Sequence, residues 1–75
     1  MDVKQYIDSD PGIMLGKPKV KGTRITVELI LRKLADGYSP VEIADMYPHI
    51  SKEAVFAAIR YAAEVMESEA IIPAA

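Results

Sequence analysis

The apolar positions of this 75-residue chain change character once. Before Thr26 they are scattered among turn formers; from Val27 onward they recur at helical spacing. Pro11-Gly12, Gly16, Pro18 and Gly22 interrupt the first 25 positions too often for any helix to survive. Short extended pieces are expected at Tyr6-Ile7, at 13–15 and at Lys19-Val20, forming a small irregular sheet or hairpin. Asp10-Pro11-Gly12 reads as a turn, because Pro presets its φ and Gly accepts a positive one.

Three helices follow. Thr26 is the expected N-cap of the first, with Glu28 in its positive first turn. Val27, Ile30, Leu31 and Leu34 fall at i, i+3, i+4 and i+7 on one face, and Gly37 ends the helix as a left-handed residue. Ser39-Pro40-Val41-Glu42 is a capping box with Pro at the first helical position. Ile43, Ala44 and Tyr47 follow it, and Pro48 stops the second helix. Ser51 caps the third, on which Val55, Ala58, Ile59, Ala62 and Met66 make one apolar face. Ala54, Ala57, Tyr61 and Val65 make a second beside it, so this helix needs two surfaces to bury against. The reading is one mainly α domain over 1–75. Its 6–25 segment is extended or a short β-hairpin, 26–67 is a three-helix region containing a helix-turn-helix, and 68–75 is a tail.

Composition narrows the options. The chain has no Cys and one His, which excludes disulfides and argues against a tight zinc site; no cofactor is expected. An apolar fraction of 51% in so short a chain favours a homodimer, because a small sphere cannot hide that many apolar side chains. No stretch approaches a membrane span and Met1-Asp2-Val3-Lys4-Gln5 has no secretion-type apolar run, so the expected location is the cytoplasm, with no membrane partner. The net charge of -2 argues against indiscriminate nucleic-acid binding. It is unevenly spread: seven basic residues face four acids up to Lys33, and two face seven thereafter.

The second and third helices, joined by Pro48-His49-Ile50, fit the helix-turn-helix plan, with Ala44 allowing close approach and Ile50 the apolar residue of the turn. The expected outward positions of the third helix are Lys52, Glu53, Phe56 and Arg60, of which only Arg60 can address guanine bidentately. Lys17, Lys19 and Lys21 alternate with other residues, so an extended backbone puts their ammonium groups on one face. That face suits phosphate contacts, or guards a solvated edge strand. Lys17, Lys19, Lys21, Lys52 and Arg60 are the candidate DNA residues. Phe56, Tyr61, Val65, Ile71 and Ile72 are the candidate dimer or partner contacts. Arg24 reads as an ion-pair residue for Glu28, Asp8 or Asp10, and His49 as a surface turn residue. No nucleophile–base pair and no phosphate-cradling Gly-rich loop is present, so no enzyme activity is expected.

The stretch from Gly16 to Val27, with Gly16-Lys17-Pro18 and Gly22-Thr23-Arg24, resembles the signature of a bacterial family known as domain of unknown function 433. Asp10-Pro11, Gly37-Tyr38-Ser39, Glu42-Ile43, Tyr47-Pro48 and 57–62 fit the same pattern. Leu15 stands where that family often has Gly, and Thr26 where Pro is usual. The resemblance implies a small dimeric helix-turn-helix protein, an antitoxin of a type II toxin–antitoxin pair. Such a protein binds and inhibits a PIN-like ribonuclease and acts on double-stranded operator DNA. By transfer it implies Lys52 and Arg60 as DNA residues and the segment after Met66 as a toxin contact. The alternative is an interaction module or dimeric scaffold that never touches DNA.

Overall fold

The computed structural model describes residues 1–68. A 3₁₀ turn (Val3–Gln5) leads into β1 (Ile7–Asp8); a second 3₁₀ turn (Met14–Gly16) precedes β2 (Lys19–Val20). Helices α1 (Val27–Ala35), α2 (Pro40–Met46) and α3 (Lys52–Ser68) follow. The fold is mainly helical, with a two-stranded antiparallel hairpin at its N-terminal end.

The helix ends are those expected from sequence. Thr26 Oγ1 accepts the Leu29 amide at 3.0 Å and Ser51 Oγ accepts the Ala54 amide at 3.1 Å. Ser39 and Glu42 cap reciprocally, Glu42 N–H to Ser39 Oγ at 3.1 Å and Ser39 N–H to Glu42 Oε1 at 2.9 Å. Helix α1 closes on Gly37 at φ +100, with Gly37 N–H donating to the Leu34 carbonyl and Tyr38 N–H to that of Lys33. This pattern satisfies two carbonyls that the helix end would otherwise orphan.

The core joins all of these elements. Ile30, Ile43 and Val55 are fully buried, one from each helix, and Ile7 and Val20 reach them from the strands. Each contributes on the order of 1.5–3 kcal/mol of transfer free energy. Ala54, Ala57 and Ala58 are also buried, which brings α3 close to the elements around it. Ile50, from the turn between α2 and α3, completes the cluster.

The N-terminal segment departs from expectation in three ways. First, of residues 13–15 only Ile13 is extended, bridged to Asp10: Met14 (φ 52) and Leu15 (φ 59) are left-handed, and Leu15 is 93% exposed. A non-glycine residue there costs roughly 1–2 kcal/mol. Second, the Asp10 turn holds by an Asx bond from Gly12 N–H to the Asp10 carboxylate at 2.9 Å, with no positive φ at Gly12.

Third, β2 is not an edge. Val20 pairs with Ile7 of β1, and on the other side Val20 N–H donates to the Ile25 carbonyl at 2.8 Å while Val27 N–H donates to Pro18. The chain reverses at Val20-Lys21-Gly22-Thr23, where Gly22 at φ +78 takes a backbone conformation that few other residues adopt. Thr23 Oγ1 donates to the Val20 carbonyl at 2.8 Å and accepts the Ile25 amide at 3.0 Å, locking the turn. Lys19 is therefore 4% exposed, its ammonium 2.7 Å from the carboxylate of its cross-strand neighbour Asp8.

This arrangement makes a test. Asp8→Ala strands a buried ammonium and should cost about 1–3 kcal/mol, the exposed side of Asp8 moderating the loss. Lys19→Met removes the charge, keeps the stem and should stay within about 1 kcal/mol of wild type. Urea unfolding of both variants measures this; equal losses would show that the pair, not the unpaired charge, governs stability.

Candidate functional site

The surface that survives folding is narrower than the sequence suggests. Of the three lysines expected on one face, Lys19 points into the fold, a correction that follows from β2 being paired on both sides. Lys17 Nζ lies 2.9 Å from Glu28 Oε1, and Arg32, one helical turn along α1, holds the other oxygen of that carboxylate at 3.2 Å. Lys21 alone of the three is exposed without an ion pair among the described residues. The face therefore does not form, either as a phosphate strip or as an edge guard.

Arg24 is also corrected. Glu28 is taken by Lys17 and Arg32, Asp8 by Lys19, and Asp10 accepts the Gly12 amide. Arg24 lies instead in a cleft of about 320 Å³ between the Gly22–Ile25 turn and Tyr47, Pro48 and His49. The turn of the Gly-Thr-Arg motif thus docks beside the connection from α2 to α3. Chain distance hid this from the sequence, since more than twenty positions separate the two turns.

On α3 the outward positions are as expected: Lys52, Glu53, Phe56 and Arg60 are exposed, Phe56 by 44%. Ile59 and Met66, expected in the apolar face with Val55 and Ala58, are exposed instead. The buried arc is narrow and runs through Ala54, Val55, Ala57 and Ala58, with Tyr61 half-buried against the core. Phe56, Ile59, Arg60 and Ala63 line a recess of about 630 Å³ with Met1, Glu64 and Glu67. Sequence reasoning missed Ile59 and Ala63 here, although their i+3 and i+7 spacing from Phe56 was available. Val65 lines a different depression, between α1 and α3. Ile71 and Ile72 lie outside the described residues.

Among the described residues no group of three or more His, Asp and Glu could hold a metal ion, and no buried side-chain polar atom lacks a partner. No helix among them is long and apolar enough to cross a membrane. What the surface offers is an apolar recess on one helix and isolated cations beside a helix-turn-helix connection.

These features define a small, mainly helical module with an N-terminal antiparallel hairpin. The chain belongs to the family described as "Protein of unknown function (DUF433)", whose model matches residues 7–62. It is similar to the crystal structure of a DUF433 member protein from Anabaena variabilis ATCC 29413, with a TM-score of 0.78 and 26% identity. That similarity covers 87% of this chain and 64% of the other, so the relative is the longer chain. No curated protein matches the sequence.

The Lys17–Glu28–Arg32 cluster has a measurable signature. The hydrogen bond from Lys17, then that from Arg32, hold the Glu28 carboxyl below its ordinary pKa. A depressed carboxylate contributes stability above its unfolded value and loses it as pH falls through the folded one. Side-chain NMR titration should place Glu28 below the ordinary range, and Lys17→Ala should raise it more than Arg32→Ala does. If neither variant moves it, Lys17 is free at neutral pH and returns as a phosphate candidate.

Proposed function

We propose that this chain is a non-catalytic, antitoxin-type protein that acts in the cytoplasm by docking a PIN-like nuclease on helix α3. The observation that carries the docking half is the exposed apolar run Phe56, Ile59 and Ala63 around a recess with Arg60 at its wall. A small fold gains nothing from leaving such side chains in water unless a partner covers them. The nuclease as partner is supported by the family resemblance, not by the surface itself.

A second surface favours an additional DNA reading. Lys21 and Arg24 are exposed, Arg24 next to the α2–α3 connection, and Lys52 and Arg60 stand on the outer side of α3. In this reading Arg24 replaces Lys17 and Lys19 in the set of DNA residues. With few base-reading side chains on α3, affinity would rest on phosphates and specificity on dimer spacing or duplex shape. A homodimer would meet at Phe56 and Ile59 rather than at Tyr61, which is packed against its own core. A second copy and a nuclease then compete for one face.

The test is co-expression with a nuclease-like reading frame encoded beside the gene. Wild type should rescue growth, and Phe56→Asp, checked for helicity by circular dichroism, should lose most of that rescue. Retained rescue removes α3 as the docking element. If Phe56→Asp instead turns a sedimenting dimer into a monomer while no nuclease binds, the face serves self-association and the scaffold reading prevails. For DNA, Lys21→Ala and Arg24→Ala should each flatten the salt dependence of operator binding by about one counterion, and Lys19→Met should not. No binding to specific or random duplex at low salt excludes the DNA half.

A further inference from the structure

The cleft between the Gly22–Ile25 turn and Tyr47, Pro48 and His49 joins two turns that each hold their own shape. On one wall Thr23 Oγ1 bridges the Val20 carbonyl and the Ile25 amide. On the other, Ile50 N–H donates to the Tyr47 carbonyl at 3.0 Å, and buried Ile50 anchors that turn in the core. Tyr47 is half-buried and packs against the same core. The side chains that face the cleft therefore stand on backbone that is fixed before any ligand arrives, which lowers the ordering cost of binding.

The chemistry of its walls is one-sided. The groove between α1 and α3 includes Glu28, and the recess at Phe56 includes Glu64 and Glu67, but no carboxylate lines this cleft. Arg24 is exposed, has no ion pair among the described residues, and carries N–H donors with no acceptor. The His49 imidazole and the Tyr47 hydroxyl add donors from the opposite wall. Ile25, Pro48 and the Tyr47 ring supply apolar faces beside them. Donors without an acid select an anion, and a flat aromatic and apolar surface next to them selects an anion that carries a ring. A volume of about 320 Å³ suits a small molecule.

We propose that the cleft binds an unpaired nucleotide, its phosphate between Arg24 and His49 and its base against Tyr47 and Pro48. A guanidinium meets a phosphate through two parallel, charge-assisted hydrogen bonds. A base inside a duplex is stacked and shows its edge, whereas an unpaired base can lay its face on an aromatic ring. The ligand is therefore a nucleoside monophosphate, free or at the end of a single strand. This inference shares Arg24 with the duplex-DNA reading but does not rest on it, since Lys21, Lys52 and Arg60 lie outside the cleft. The cleft also shares no lining residue with the recess at Phe56, so the two sites can be filled together. A nucleotide held between the turns ties the Gly-Thr-Arg motif to the α2–α3 connection and stabilises the fold by mass action.

Amide NMR titration of the full chain tests this, with adenosine 5′-monophosphate, adenosine and inorganic phosphate as probes. The monophosphate should bind at least about tenfold more tightly than either fragment, because it alone engages both halves of the cleft. Its shifts should centre on residues 22–25 and 47–49. Arg24→Met and His49→Ala, both at exposed positions, should each weaken the monophosphate at least about fivefold, and Arg24→Met should leave adenosine unchanged. Lys21→Met removes an exposed cation outside the cleft and should change neither. A single-stranded oligonucleotide with a 5′-phosphate that displaces the monophosphate identifies a strand end as the ligand, and one that fails to displace it identifies the free nucleotide. Either result sustains the inference. Inorganic phosphate binding as tightly as the monophosphate would overturn it, since the cleft then has no place for a base. So would equal losses on Lys21→Met and Arg24→Met, which reduce the attraction to net charge. If the monophosphate moves none of these residues while duplex binding still responds to Arg24→Ala, the cleft inference falls and the duplex reading stands.

Discussion

The structure depends on how closely its elements approach the first half of α3. Helices α1 and α2, both strands and the first 3₁₀ turn all pack on that helix. They can do so because four of its five positions between Ala54 and Ala58 are buried and three of those are alanine. A larger side chain at Ala57 or Ala58 would push out either α1 or the hairpin, since a close-packed interior has no spare volume to absorb it. Small residues on α3 and branched ones facing it, Ile7, Val20, Ile30 and Ile43, are two halves of one packing solution.

The same arrangement determines what is left for function. The buried positions of α3 end at Ala58, with Tyr61 half-buried beyond them, yet the helix runs on to Ser68. That overhang has α1 beside it on one side and solvent on the other. A groove and an open recess therefore flank a single helix, and the chemistry of each is apolar floor with charged rim. The cations divide in the same way. Lys17 and Lys19 are engaged in holding α1 and β1, while Lys21, Arg24, Lys52 and Arg60 remain at the surface. Neighbouring residues of one short motif thus face opposite ways, Lys19 inward and Lys21 outward.

Local chemistry made the helices legible from sequence. A cap is a contact between residues three apart, so Thr26, Ser39 with Glu42, Ser51 and Gly37 each announce a boundary without reference to the rest of the chain. The turn at Gly22-Thr23 follows the same logic. Lys19 was not legible, because its burial comes from β2 having partners on both sides, one preceding it and one following it. Two-residue strands carry too little alternation to show which is central. Ile59 and Met66 were misread for a related reason. A helix apolar over a wide arc does not reveal which part of the arc meets the core, and here the core chose the alanines. Arg24 was placed by tertiary docking of two turns, to which no spacing rule points. Leu15 took a left-handed conformation that its side chain gives no hint of.

Native-state hydrogen exchange tests most directly whether the first half of α3 is the element on which the fold rests. The amides of Ala57, Ala58 and Ile59 should exchange only when the whole chain unfolds, with opening free energies equal to the stability found by urea denaturation. Amides beyond Glu64 should exchange faster through local opening. If the slowest amides instead lie in α1 or α2, and those of Ala57 to Ile59 open well below the global value, then α3 is a late addition to a core formed without it, and the close approach to its alanines is not what holds the other elements together.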